Sequence, residues 1–307
     1  MAQHLGRIKY LTVIVRLFWT SVFPVLFVCE NGSAQDKPDY ADSLSYQLHP
    51  TKKIIYKKLG DTLLYLHVFD PTGHKATDKV PCFISIHGGG WRKSEPKRMY
   101  PIVAGFAQLG MVGISVQYRL LKKGSSLTVF DCDKDGRSAI RYVRKHARDL
   151  GIDPDKIIVS GGSAGGQIAA GTELFDGLDD QTDDLGVSCR PNALVLYYPV
   201  IDTSPQGYGY YDIGKNWAWI SPLTNVRRGI CPTLIFHGTD DTTAPYKGSK
   251  AFYDAMLNAG NICVLHTATG MGHTYTMIDK KNFDETMLET IRFLKHIRFL
   301  LPESKKH

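Results

Sequence analysis

Cysteine is scarce in this chain: six residues in 307. No Cys-x-x-Cys pair occurs, and no spacing suits a zinc site. A scaffold built on disulfides or on a structural metal is therefore not expected. Past Cys29 the thiols are Cys82, Cys132, Cys189, Cys231 and Cys263. That is an odd set, so at least one is free or pairs between chains. Cys82 and Cys263 sit in apolar strand-like runs, where a thiol serves as a small buried hydrophobe. Long tracts of one charge are also missing. The 37 basic and 30 acidic side chains leave a net of +7. Lys52-Lys53, Lys57-Lys58 and Lys122-Lys123 are isolated pairs on a solvated surface, which gives nucleic-acid binding little support. There is no internal repeat and no linker that would divide the chain after its leader.

What is present begins with that leader. Arg7 and Lys9 make a basic start, Leu17 to Cys29 is an apolar run broken by Pro24, and Gly32-Ser33-Ala34 offers a small-residue cleavage site. This is the layout of a secretory signal peptide over residues 1–34. The competing reading is a membrane anchor, but the run is short for a span and Arg16 interrupts any extension. The expected mature chain, 35–307, is then periplasmic or secreted, with no stable membrane span after processing.

Residues 35–50 are polar and read as a loose leader. Lys53–Lys58 and Thr62–Phe69 read as a hairpin turning at Gly60-Asp61. Strand-like runs follow at Val80–Ile86, Val112–Tyr118, Ile157–Val159, Ala193–Val200, Thr233–Phe236 and Ile262–Thr267. Helical patterns lie between them at Tyr100–Leu109, Asp131–Leu150, Lys247–Ala259 and Phe283–Leu300. Such alternation predicts an α/β fold, a mostly parallel sheet covered by helices on both faces, with an antiparallel hairpin at its start. The stretch 203–222 is an insert rich in glycine and aromatics.

In such a sheet, chemistry gathers at the carboxyl ends of the strands. Ile157-Ile158-Val159 runs into Gly161-Gly162-Ser163-Ala164-Gly165, a G-x-S-x-G placed between strand and helix. A turn that sharp strains the serine backbone and lifts its hydroxyl above the sheet edge, at a helix N-terminus that favours developing negative charge. Gly88-Gly89-Gly90 follows the Val80–Ile86 strand, where bare N–H groups can join that of Ala164 as an oxyanion hole. His87 beside them is expected to hold the loop. His237-Gly238-Thr239-Asp240-Asp241 and Gly270-Met271-Gly272-His273 end two later strands. A serine hydroxyl needs an imidazole to take its proton and a carboxylate to fix the imidazole. His273 alone among the later histidines occupies a post-strand glycine loop; His266 lies mid-strand and His296 on the last helix. Asp240 and Asp241 both qualify as the acid, with Asp202 a more distant choice.

Together, His-Gly-Gly-Gly-Trp, Tyr118-Arg119-Leu120, Gly-Gly-Ser-Ala-Gly-Gly, His-Gly-x-x-Asp and Gly-x-Gly-His resemble the bacterial α/β-hydrolase esterases. The similarity is to the hormone-sensitive-lipase-like family and the related acetyl and feruloyl esterases, and runs from about Val80 to the last helix. The resemblance implies Ser163 as nucleophile, Asp241 as acid and His273 as base, with Gly89, Gly90 and Ala164 as oxyanion donors and no metal or organic cofactor. Two departures stand out: Ala244 replaces the usual valine of the acid loop, and Gly162 replaces an acidic residue before the serine. The implied activity is hydrolysis of short-acyl esters through an acyl-enzyme, on a small ester or an esterified plant polysaccharide. Trp91 is expected to wall the acyl side, and Trp217 and Trp219 with Tyr208, Tyr210 and Tyr211 either to stack on a sugar or phenolic ring or to pack the insert as a cap with its own small core. A peptidase of the prolyl-oligopeptidase type shares the order Ser…Asp…His, but its usual large N-terminal domain has no room here. A non-catalytic hydrolase-like binding module would typically lack the serine or the histidine.

Overall fold

Alternation of side chains along the strands sets the layers. In β3 (Val80–Ile86), Cys82, Ile84 and Ile86 face one apolar layer and Phe83 the other. In β5 (Ile152–Gly162), Ile157 and Val159 oppose Ile158 in the same way. A sheet apolar on both faces needs cover on both. The structure, a computed structural model, describes residues 39–300; the expected signal peptide lies outside them. The remaining strands are β1 (Lys52–Leu59), β2 (Thr62–Phe69), β4 (Val112–Val116), β6 (Ala193–Tyr197), β7 (Thr233–Gly238) and β8 (Cys263–Ala268). They form one sheet in the order β1-β2-β4-β3-β5-β6-β7-β8. The hairpin β1–β2 and the pair β2–β4 are antiparallel; every pair from β4 to β8 is parallel.

The helices are α1 (Tyr40–Ser45), α2 (Tyr100–Gln108), α3 (Val129–Lys145), α4 (Ala164–Leu174), α5 (Tyr210–Ile213), α6 (Tyr246–Asn258), α7 (Tyr275–Ile278) and α8 (Lys280–His296). One face of the sheet is covered by Val129, Ile140 and Val143 of α3, Ile168 and Leu174 of α4, and Phe252 and Met256 of α6. The opposite face meets Ile102 and Phe106 of α2 and Phe283, Phe293 and Leu294 of α8. At the centre, Ser160 donates to the Ile84 carbonyl and its oxygen pairs with the Ser85 hydroxyl, both at 2.9 Å, so these two inward hydroxyls are satisfied.

Two features differ from the sequence reading. The segment 35–50 is not wholly loose: α1 starts at Asp39, whose carboxylate accepts from the Asp42 amide at 2.8 Å and pairs with Arg98. That capping is worth roughly 1 kcal/mol, and the ion pair ties α1 to the chain ahead of α2. The long helix α3 begins two residues earlier than expected, because Thr128 and Asp131 close a capping box.

The Tyr118-Arg119 motif proves architectural. Arg119 grips Asp135 with Nε and Nη2 at 2.7 and 2.9 Å, and Lys57 of β1 reaches the same buried carboxylate at 2.9 Å and Asp180 at 2.8 Å. At the far end of α4, Arg227 caps the carbonyls of Glu173 and Leu174 at 2.8 and 3.1 Å. Burial raises the Glu173 carboxyl to about 7, against the opposing pull of Arg190 and Arg227. The five cysteines among the described residues are free, and burial raises every one of their thiols. No helix among the described residues is long and apolar enough to cross a membrane.

Candidate active site

Ser163 sits between β5 and α4 with φ 54° and ψ −123°, a conformation non-glycine residues rarely adopt. The glycines around it make room for that turn. A Cβ on Gly161 would overlap the Gly165 carbonyl, and one on Gly165 would overlap the carbonyls of Ile86 and His87. Gly162 has a different reason. The Tyr198 phenol fills the space where its side chain would start, 2.9 Å from the Cβ position. That accounts for the missing acidic residue before the serine.

The Ser163 hydroxyl lies 3.0 Å from Nε2 of His273, and Nδ1 of His273 lies 2.7 Å from Oδ2 of Asp241. Three strand ends converge here: β5 brings the serine, the loop after β7 the aspartate, and the loop after β8 the histidine. With Nδ1–H donating to the carboxylate, Nε2 presents its lone pair to the serine O–H. The Tyr198 ring packs edge-on against the imidazole at 4.8 Å and limits its swing. Asp240 is exposed and bonds only its neighbour Thr239 through its side chain. Asp202 accepts from the Ser204 amide at 2.9 Å in a local turn. Neither reaches His273. His266 lies against Phe236 on β8, and His296 is exposed on α8.

Asp241 is fully enclosed. Oδ1 accepts the amides of Thr243 and Ala244, both at 2.9 Å. Oδ2 accepts from His273 and, at 3.0 Å, from Nε2 of His237. Burial alone would raise this carboxyl. The bonds from His237 and His273, the charge of His273 and the Ala244 amide outweigh burial and hold it well below the usual carboxylate range. Ala244 acts here through its backbone only, so the absent valine side chain takes no part in holding the acid.

The Ser163 amide is taken by the Tyr197 carbonyl at 3.0 Å. As the first residue of α4, Ala164 has no carbonyl within its own helix to bond. It faces a glycine loop whose Gly89 and Gly90 have φ of 103° and 60°. His87 secures that loop. Burial lowers its imidazole to about 4, so it stays neutral; its ring stacks on Tyr118 at 4.4 Å and bonds the Gly88 carbonyl at 2.9 Å. The Tyr118 hydroxyl adds bonds to the carbonyls of His87 and Gly88 at 3.1 and 3.3 Å. Among the described residues, no group of three or more His, Cys, Asp or Glu side chains is arranged to hold a metal.

The BD-FAE family model matches residues 66–256, which spans the glycine loop, the serine turn and the acid. The chain belongs to the BD-FAE family. It is an α/β-hydrolase of the hormone-sensitive-lipase-like esterase group. Esterase LipQ of Mycobacterium tuberculosis is 27% identical over 213 residues, covering 64% of this chain and 50% of LipQ. The chain spans about half the length of the curated relatives it matches. Among solved structures, apo esterase 2 of Thermogutta terrifontis is 35% identical with a TM-score of 0.78, covering 82% of this chain and 96% of that one. A propionate-bound form of that esterase gives 34%, 0.77, 82% and 96%.

On the substrate side of this BD-FAE chain, Trp91 is not where its sequence position suggests. Its backbone has φ 58°, which turns the indole inward, and the residue is 0% exposed. Nε1 donates to Oε1 of Gln167 at 3.1 Å; Gln167 in turn donates to Asp133 at 3.1 Å and to the Ile220 carbonyl at 3.0 Å. Burial keeps Asp133 far above the usual carboxylate range, despite its bonds to Gln167 and the charge of Arg137. Trp91 therefore walls no acyl pocket; it anchors the insert. Gly209 lies against its ring, 2.6 Å from the Cβ position, and Tyr208 packs on it at 5.7 Å. Arg92 next to it pairs with Asp212 of α5.

From the insert, Tyr208 approaches the glycine loop, its hydroxyl 2.8 Å from the Cβ position of Gly90. Together with Val200, Asp202, Ala244 and Pro245 it lines a small open cleft beside the acid loop. Trp217 is half-buried and its carbonyl is tied to Thr203, while Tyr211 and Trp219 are exposed. Of the three tryptophans assigned to the pocket, the structure thus gives one to the core and leaves Trp219 most open. Tyr198 carried no signal in the sequence, and His237 is marked there only as the start of the motif that ends in the acid.

Proposed function

We propose that this protein is a serine carboxylesterase that cleaves short-acyl esters. The observation that carries it is the unbroken relay from Ser163 through His273 to Asp241, at 3.0 and 2.7 Å, on a serine held at positive φ. Ser163 Oγ attacks the ester carbonyl carbon as its proton passes to His273 Nε2. The carbonyl oxygen becomes an oxyanion stabilised by the amides of Ala164, Gly89 and Gly90. As the C–O bond breaks, His273 returns the proton to the leaving alcohol. Water then repeats the sequence on the acyl-enzyme and frees the acid and the serine.

A short acyl group is supported by the Thermogutta terrifontis relative, solved with propionate and with butyrate bound. An alcohol of carbohydrate type is supported by the exposed rings of Tyr211 and Trp219 on the insert whose Tyr208 lines the cleft. Export to the periplasm or medium is supported by the basic start, apolar run and small-residue site of residues 1–34.

The test is a fluorophosphonate probe with a panel of acetyl, butyryl, octanoyl, feruloyl and acetylated-xylan substrates. Labelling confined to Ser163, with kcat/KM highest for the two- to four-carbon acyl groups, is the expected result. Turnover surviving in Ser163→Ala, or rates climbing steadily to octanoyl, sinks the assignment or the acyl preference respectively. N-terminal sequencing of the protein recovered outside the cytoplasm tests export.

A further inference from the structure

His237 is fully buried, and both of its ring nitrogens are engaged. Nε2 faces two oxygens at once, Oδ2 of Asp241 at 3.0 Å and the Ala244 carbonyl at 2.8 Å. With Asp241 ionised, both can only accept, so Nε2 carries the hydrogen. Nδ1 is then the acceptor, and the Ser249 hydroxyl of α6 donates to it at 2.7 Å. The tautomer is thus fixed by contacts from β7, the acid loop and α6 together. His273 donates to the same Oδ2 from the other side at 2.7 Å. One carboxylate oxygen therefore binds two imidazoles, one of which belongs to the proposed proton relay and one of which does not.

We propose that His237 is a positioning residue for the hydrolysis: its N–H, fixed by Ser249, shares Asp241 Oδ2 with His273 and so sets both the direction of the acid and the basicity of the base. The inference rests on the triad reading of Ser163, His273 and Asp241. Without the His237 N–H, Oδ2 would face His273 alone and hold the imidazolium that forms during the reaction more firmly. A second N–H on the same oxygen draws off part of that charge without adding a net charge of its own. It also prevents rotation of the carboxylate, whose other oxygen is held by Thr243 and Ala244. The titratable groups facing His237 are Asp241 and Tyr246, the latter edge-on at 5.8 Å; His273 lies beyond Asp241, and Asp240 is exposed at the rim.

Three variants and two readouts test this. His237→Phe keeps a ring without the donor, His237→Gln restores an N–H near the Nε2 position, and Ser249→Ala removes only the lock on the tautomer. We expect His237→Phe to lower kcat about ten- to a hundred-fold with KM changed less than about two-fold. The acid limb of kcat/KM against pH should move upward, and the NMR titration of the His273 ring should move with it. Ser249→Ala should move both the same way by less, and His237→Gln should recover most of the rate and return the limb. A limb and a His273 titration unchanged in Ser249→Ala and His237→Phe overturn the proposal, as does a Gln variant no better than Phe. If His237→Phe does not fold, an unmoved titration in Ser249→Ala overturns it equally. The NMR titration needs no turnover, and labelling of Ser163 in the parent checks the triad separately, so the two failures are distinguishable.

Discussion

The acid loop after β7 and the insert at 203–222 flank the same cleft, yet they are built in opposite ways. Asp241 is fixed by four donors, two from the backbone and two from imidazoles, and shows no side-chain surface to solvent. The insert is a chain of short turns, Tyr210–Ile213, Gly214–Ile220 and Pro222–Asn225. It is held by contacts spread along its length, among them Trp91 under Tyr208 and Gly209, Arg92 on Asp212, Gln167 on the Ile220 carbonyl, and Ser221 on the Ile201 carbonyl. The half of the site that moves protons is over-determined, and preorganisation of that kind is what stabilises a transition state. The insert leaves aromatic rings in water. Chemistry and selectivity should therefore respond to mutation independently.

The largest effect is expected from Ser163→Ala, with kcat falling about 10⁴- to 10⁶-fold while the melting temperature stays close to the parent value. Esterase assay beside a thermal melt separates the two readouts. Trp91→Ala attacks the join between the halves. It should cost about 3–5 kcal/mol in chemical denaturation, by leaving a large cavity and the Gln167 amide short of a partner. Activity toward large alcohols should fall with it.

Glu173 lies far from either half and serves as a control on stability alone. Its folded carboxyl is raised to about 7, from about 4.5, by burial. The unfolded chain gives up this proton first, so the group lowers stability progressively as pH rises from about 4.5 to 7, with no further loss above that. Glu173→Gln should recover about 3 kcal/mol at pH 8 and almost nothing at pH 4, read from denaturant melts. An equal gain at both pH values would place its effect elsewhere. Smallest of all, Trp219→Ala should reduce kcat/KM for acetylated xylan a few-fold and leave p-nitrophenyl acetate within about two-fold, because the ring is exposed and holds nothing else. Equal loss on both substrates would tie the insert to the chemistry after all.

How much of this was legible in the chain depends on how local the determinant is. The serine turn was readable because Gly161 answers a backbone contact inside one short segment, the Gly165 carbonyl four residues on. The alternation of strands and helices was readable for the same reason. The place of β4 between β2 and β3 was not, since that pairing joins segments far apart in sequence. Trp91 was misplaced because its direction depends on a positive φ, and a bulky residue is not expected there. Helix α1 was missed because its stability comes from Arg98, more than fifty residues on. His237 looked like part of a motif; only the approach of Ser249 from α6 shows what its second nitrogen does.

The two sides of the oxyanion hole come from adjacent strands of one ladder. Ser85 is paired with Ser160, and Ile86 with Gly161, so the glycine loop and the serine turn leave the sheet side by side. The base of the gap proposed to receive the substrate oxygen is set by that central strand pair and is lost when the pair unzips. Heat inactivation and loss of the fold should then follow a single curve, with no temperature at which an intact protein has merely stopped working.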